Sequence, residues 1–212
     1  MKKAVLFDFW GTLVQQGAYS PMKQTYRLMR PSMAFGEFVE KFERVAMTTA
    51  YEDQAQMFMD AADALDCRVP DWVVEKLIGV WNKSRLFAQL YPETLQALEA
   101  LKSKGVKIAI ISNTYKQSVE GLLEKFGLGK LFDAVCWSYE VGALKTDAEL
   151  IEVALDKLGV GKEDTMLVGD SLETDIAGAE KAGIMPVLVD RKETREYVNK
   201  VKSLLELDKF LE

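Results

Sequence analysis

Five short apolar runs, separated in the second half of the chain by segments with helical spacing, constrain the fold more than any other feature. They fall at residues 4–7, 106–111, 134–137, 166–168 and 186–189 and are rich in β-branched side chains, as strands are. Between them, residues 92–104 carry proline in a predicted first helical turn and stop before Gly105. Thr146 and Glu149 form a predicted capping-box pair ahead of Ile151, Ala154, Leu155 and Leu158. Strand and helix in alternation build βαβ units with right-handed crossovers, and hence a mostly parallel sheet covered on both faces. The expected class is α/β, doubly wound.

Residues 15–88 break that rhythm. Phe35, Phe38, Phe42, Val45 and Thr49 recur at steps of three and four, Met57, Ala61 and Leu65 make a second stripe, and Val73, Leu77 and Val80 a third. No strand pattern interrupts them. The predicted organisation is an α/β core of residues 1–14 and 89–212, with an all-helical insertion at 15–88.

Composition narrows the chemistry. With 212 residues, 49% of them hydrophobic, the chain can bury a substantial core. A formal net charge of −6 leaves no basic excess to displace phosphate counterions, so nucleic acid is not an expected partner. No apolar stretch is long enough to span a bilayer. Lys2-Lys3 ahead of an apolar run resembles the start of a leader, but Asp8 interrupts the run too early. Cys67 and Cys136 lack metal or disulfide-framework spacing, which fits a reducing compartment, and a cytoplasmic protein is expected. The absence of histidine excludes Ser-His and Cys-His triads and ordinary zinc chemistry. Any metal should be hard and bound through oxygen, which favours magnesium.

In an open parallel sheet, ligands bind beyond the carboxyl ends of the strands. Asp8 follows the first run, Ser112-Asn113 the second and Gly169-Asp170-Ser171 the fourth, while Lys145 lies past the third. A carboxylate hard against a buried run is costly unless paired or metal-bound, which marks Asp8. Each of the others has a plainer reading beside the functional one. Ser112, Asn113 or Thr114 can cap a following helix. Asp175 can be a first-turn acid favoured by the helix dipole. Lys145 can be a solvated lysine, and Thr12 can bond backbone in the turn as readily as it touches substrate.

The segment Phe7-Asp8-Phe9-Trp10-Gly11-Thr12-Leu13 resembles the first motif of the haloacid dehalogenase superfamily, and the other clusters follow in that superfamily's order. The resemblance implies a Rossmann-like core with a helical cap inserted after the first motif. It implies Asp8 as covalent nucleophile, Ser112 as phosphate-binding serine and Lys145 as the lysine that balances their charge. Gly169-Asp170-Ser171-Leu172-Glu173-Thr174-Asp175 resembles the fourth motif, so magnesium would be held by Asp8, the Trp10 carbonyl and Asp170, with Asp175 in support. Trp10, Thr12, Asn113 and the cap residue Arg44 are the candidate substrate contacts. The ligand would be a small molecule, the protein a monomer or small homo-oligomer.

Trp10 departs from the pattern. Phosphatases of this superfamily carry a second aspartate there, which protonates the leaving alkoxide and later activates water. Indole N–H donates a hydrogen bond but has no useful acidity. Losing a placed acid–base group forfeits about 10²- to 10⁴-fold in rate, on the order of 3 to 5 kcal/mol. The implied activity is therefore phosphate hydrolysis weakened in its proton transfers. The alternative is 2-haloacid dehalogenation, in which halide leaves without a proton and an aromatic residue occupies position 10. That branch uses no metal, lacks the acid corresponding to Asp170, and runs Ser-Asn-Gly where this chain has Ser112-Asn113-Thr114. A third reading is a ligand-binding or regulatory protein with hydrolysis disabled.

Overall fold

The structure, a computed structural model, describes residues 2–15, 17 and 20–212. Strand β1 (Ala4–Phe7) is followed by a tight turn and the two-residue strand β2 (Val14–Gln15). Four helices come next: α1 (Pro21–Met29), α2 (Phe35–Ala46), α3 (Gln54–Ala64) and α4 (Asp71–Leu86). Strand β3 (Gln89–Leu90) then pairs antiparallel with β2, so the helical segment leaves and re-enters through a two-stranded ribbon. From there strands and helices alternate: α5 (Thr94–Ser103), β4 (Lys107–Ser112), α6 (Lys116–Val119), α7 (Leu122–Lys125), β5 (Ala134–Trp137), α8 (Ser138–Val141) and α9 (Glu149–Leu158). The chain closes with β6 (Thr165–Gly169), α10 (Ala177–Ala182), β7 (Met185–Val189) and β8 (Lys200–Val201).

Six strands form one parallel sheet in the order β5-β4-β1-β6-β7-β8. The chain winds outward from β1 through β4 to β5, then returns to the other side of β1 as β6. The topological switch therefore lies at β1, where a doubly wound sheet opens its binding crevice. Alternating side chains serve the two faces. Val5, Phe7, Ile108, Ile110 and Val168 pack under α5 and the C-terminal turn around Leu204 and Leu207. Ala4, Leu6, Ala109, Ile111 and Leu167 pack under α9 and α10. Burial on both sides is why these strands read as unbroken apolar runs.

The helices α1–α4 enclose an apolar cluster of their own, dominated by Phe38, Phe42, Phe58 and Trp81. Tyr115 and Leu144, from loops at the sheet's carboxyl edge, join it.

Some local expectations fail. The α2 stripe continues on paper to Thr49, but the helix ends at Ala46 with Met47 as its C-cap. Pro92 sits in a turn before α5, with Glu93 as N-cap. The predicted Thr146–Glu149 capping box does not form: Thr146 lies in the 3-10 turn Lys145–Asp147, and α9 starts from Ala148, which has a φ of 56° and offers no side-chain cap. The local acceptor is instead the Asp147 carboxylate, which takes the Leu144 N–H at 2.8 Å. Strands β2, β3 and β8, of two residues each, are too short to leave a sequence pattern.

Candidate active site

Register decides which polar residues meet. Phe7 pairs with Ile110 on one side and Val168 on the other, so Asp8, Ser112 and Gly169-Asp170 emerge together at the sheet's carboxyl edge. Asp8 continues the ladder by donating its N–H to the Val168 carbonyl at 2.9 Å, which fixes where its side chain starts.

The Asp8 carboxylate is 3% exposed and held from several directions. Lys145 Nζ donates to Oδ1 at 2.7 Å, Ser112 Oγ reaches the same oxygen at 3.5 Å, and Thr12 Oγ1 donates to Oδ2 at 3.0 Å. Lys145, equally buried, also donates to Asp175 Oδ1 at 2.5 Å. The second Asp175 oxygen accepts the Ser171 N–H at 3.0 Å.

That last bond shapes the loop after β6. Residues Leu172–Ile176 form one widened π turn, in which both Asp175 and Ile176 donate N–H to the Ser171 carbonyl. Such turns recur at functional sites because they re-aim a side chain without breaking the helix that follows. This one directs Asp170 and Asp175 at the same spot. Two glycines make room. At Gly169 an added Cβ would overlap the Asp175 carboxylate, and at Gly11, whose φ is +89°, it would overlap that of Asp170.

Carboxylate oxygens of Asp8, Asp170 and Asp175 lie within 4.8 Å of one another. One ammonium faces three carboxylates. Burial, followed by the neighbouring charges of Asp175 and Asp170, outweighs Lys145 and pushes the Asp8 pKa up to about 8. Burial and then Asp175 push Asp170 up to about 6. Burial opposes the charge on Lys145, but Asp175 and Asp8 overcome it and the ammonium is held well above its ordinary range. An all-oxygen donor set with uncompensated negative charge fits a hard divalent cation. Among the described residues no hydrogen bond ends on the Trp10 carbonyl, which leaves it free to serve as a further ligand.

These groups open onto a cavity of about 610 Å³ between the sheet edge and the helical segment. Asp8, Trp10, Ser112, Asn113, Lys145, Asp170 and Asp175 all line it. Trp10 is half-buried, edge-on to Phe9 at 5.1 Å between centroids. Two expected substrate contacts do not reach it. Thr12 has no exposed surface and spends its hydroxyl on Asp8. Arg44 forms a two-pronged pair with Asp147, Nη1 on Oδ2 and Nη2 on Oδ1, the latter at 2.9 Å, because successive helical residues point about 100° apart and Glu43 takes the inward direction.

Glu43 is the residue the sequence pattern hides. Its Oε2 accepts from Asn113 Nδ2 at 2.8 Å. The amide orientation is determined, because Asn113 Oδ1 accepts the Lys145 backbone N–H at 2.9 Å. Burial pushes the Glu43 pKa up, against the opposing hydrogen bond from Asn113. Arg195 is another unpredicted lining residue; it donates to the Asp170 carbonyl and, at 2.9 Å, to that of Val189. Arg191 braces the first turn from outside, donating to the Gly11 and Thr12 carbonyls at 2.9 and 2.8 Å. The rule used for Asp8, a polar residue just past a strand end, could have found Arg191 after β7.

With the geometry assembled, the relationship to known proteins is direct. Residues 2–183 match the haloacid dehalogenase-like hydrolase family, and the chain belongs to it. It is 36% identical over 210 residues to a ribulose-1,5-bisphosphate 5-phosphatase of Halopiger xanaduensis, covering 91% of this chain and 87% of that one. It is 37% identical over 115 residues to a glyceraldehyde 3-phosphate phosphatase of Methanothermobacter thermautotrophicus, where the match spans 52% of this chain and half the length of that relative. A crystal structure of a HAD phosphatase from Thermococcus onnurineus is 26% identical, with a TM-score of 0.65 over 99% of this chain and 97% of that one.

Proposed function

We propose that the protein is a magnesium-dependent phosphatase of small phosphorylated metabolites, working through an aspartyl-phosphate on Asp8. The observation that carries this reading is the largely buried cluster of Asp8, Asp170 and Asp175 around a single lysine, lining the cavity between the sheet edge and the helical segment. The phosphatase names of the matched relatives support it. Halide displacement needs no divalent cation, so a haloacid dehalogenase would have no use for this acidic cluster. The aromatic at position 10 is the one feature on that side.

In this reading Asp8, Asp170 and the Trp10 carbonyl hold magnesium, with Asp175 behind them, and the ion supplies positive charge against the phosphoryl oxygens. Thr12 and Lys145 fix the Asp8 carboxylate, one oxygen each, so that it enters the reaction without reorienting. Asp8 attacks phosphorus, the ester P–O bond breaks toward the leaving oxygen, and water then hydrolyses the aspartyl-phosphate to restore Asp8. Ser112 donates to a phosphoryl oxygen, and Lys145 neutralises charge on the transferring group. Residues 15–88 act as a cap that excludes bulk water and selects the substrate. Trp10 contributes shape and stacking surface but no proton.

The test is phosphate release from acetyl phosphate and p-nitrophenyl phosphate, with magnesium and with EDTA, in wild type and Asp8→Asn. Magnesium-dependent release that falls at least a thousandfold in Asp8→Asn is the expected result. Equal release by the two proteins would overturn the reading, and 2-chloropropionate would be the next substrate.

A further inference from the structure

Trp10 supplies no acid where the resemblance expects an aspartate, and the helical wall of the cavity carries a carboxyl group, that of Glu43. We propose that Glu43, on α2, is the general acid that protonates the leaving group. This rests on the phosphatase reading above.

The geometry supports Glu43 in three ways. It lines the same cavity as Asp8, Ser112 and Lys145, on the helical side, and in-line attack by Asp8 requires the leaving oxygen to lie on the face of phosphorus opposite Asp8. Its orientation is fixed through Asn113, whose amide is clamped between Glu43 Oε2 and the Lys145 backbone N–H. A carboxyl group tied this way to the residue after Ser112 keeps a constant position relative to the phosphate site. Finally, Glu43 Oε1 has no hydrogen-bond partner among the described residues, and Glu43 is a lining residue of the cavity. One oxygen positions the group and the other is free to carry a proton. Burial, which favours the protonated form, acts in the right direction.

The step balances simply. Asp8 forms a bond to phosphorus as the ester P–O bond breaks, the electron pair goes to the leaving oxygen, and that oxygen takes the proton of Glu43. The Glu43 carboxylate regains a proton from solvent through the cavity mouth.

The experiment compares kcat/KM for phenyl phosphate and p-nitrophenyl phosphate in wild type, Glu43→Gln and Asp8→Asn. The two esters are nearly alike in shape, but nitrophenoxide leaves well without a proton and phenoxide does not. Glutamine keeps the size of the side chain and its link to Asn113. Glu43→Gln should lower the phenyl-to-nitrophenyl ratio at least tenfold, with the loss in kcat and an unchanged Tm. A similar loss on both esters would mean that Glu43 only positions the cap, and would overturn the proposal. So would a wild type that hydrolyses the nitrophenyl ester and leaves the phenyl ester untouched, since no acid would then be at work. Release that Asp8→Asn does not reduce would instead overturn the phosphatase reading and this inference with it.

Discussion

The sheet edge and the helical segment above it reach order by different means. At the sheet edge, hydrogen-bond register places the reactive groups: Asp8, Ser112 and Asp170 meet because β1 pairs with β4 and β6 in one register only. The helical segment has no such ruler. Its four helices are aligned by aromatic packing, with Phe42 stacked near Phe38 and Trp81 at 5.6 and 6.1 Å between centroids. It engages the sheet edge through polar struts such as Glu43–Asn113, Arg44–Asp147 and Lys116–Glu52. A backbone ladder holds position to a fraction of an ångström, whereas side-chain packing and exposed pairs leave room to move. That difference suits a division in which the nucleophile, phosphate contacts and metal ligands belong to the first region, and substrate selection with the proposed leaving-group acid to the second.

Two changes break the comparison most strongly, one in each region. Asp8→Asn should remove activity altogether while the fold persists, because the ladder that positions residue 8 is made by its backbone. Phe42→Ala should do the reverse. It empties a fully buried site in the aromatic cluster and should lower unfolding free energy by about 3–5 kcal/mol in urea titration. A loss below about 1 kcal/mol would mean that the helices are held by something other than this cluster.

Next in size is the effect of magnesium on stability, which belongs to the sheet edge alone. Asp8 and Asp170 have pKa values raised to about 8 and about 6, so the folded metal-free protein binds more protons than the unfolded chain between about pH 4 and pH 8. Its stability should therefore fall as pH rises through that window. Lys145, raised from an already high value, contributes evenly across it. Magnesium needs the carboxylates ionised, so it should raise Tm more at pH 8 than at pH 5; present at roughly 100 times its Kd, it adds about 2–3 kcal/mol to the unfolding free energy. An equal shift at both pH values would place the ion elsewhere.

The sequence is most legible where one force decides the outcome. Burial on both faces made the main strands readable to within a residue, and Asp8 stood out as a carboxylate at the end of one. The α2 and α3 stripes were readable for the same reason. What escaped depended on contacts between distant segments. Glu43 has no signal of its own, since its role exists only when α2 lies over Asn113. Arg44, its neighbour, looked better as a substrate contact because arginine binds anions, and helical phase turned it away toward Asp147. The Thr146–Glu149 pattern was a true motif in a false setting, displaced by the Lys145–Asp147 turn that carries the lysine to Asp8.

Trp10→Asp sharpens the link between the two regions. An aspartate at position 10 adds a proton donor on the sheet side, and activity on phenyl phosphate should rise about tenfold in wild type and more in the Glu43→Gln background, where no other acid competes. No rise in either, at unchanged Tm, would mean that the indole is needed to shape the cavity.

The smallest effect expected is at Arg44. Its guanidinium and the Asp147 carboxylate are 46% and 28% exposed, and exposed pairs contribute about 0–1 kcal/mol because solvent screens them. Asp147 would keep its bond from the Leu144 N–H, so the turn that delivers Lys145 would stand without its partner. Arg44→Ala should change kcat/KM less than about threefold and shift Tm by only a few degrees. A tenfold rise in KM with kcat unchanged would mean that Arg44 leaves Asp147 to grip the substrate during turnover. The helical segment would then be a moving part rather than a wall, and the strut seen in this structure only one of its positions.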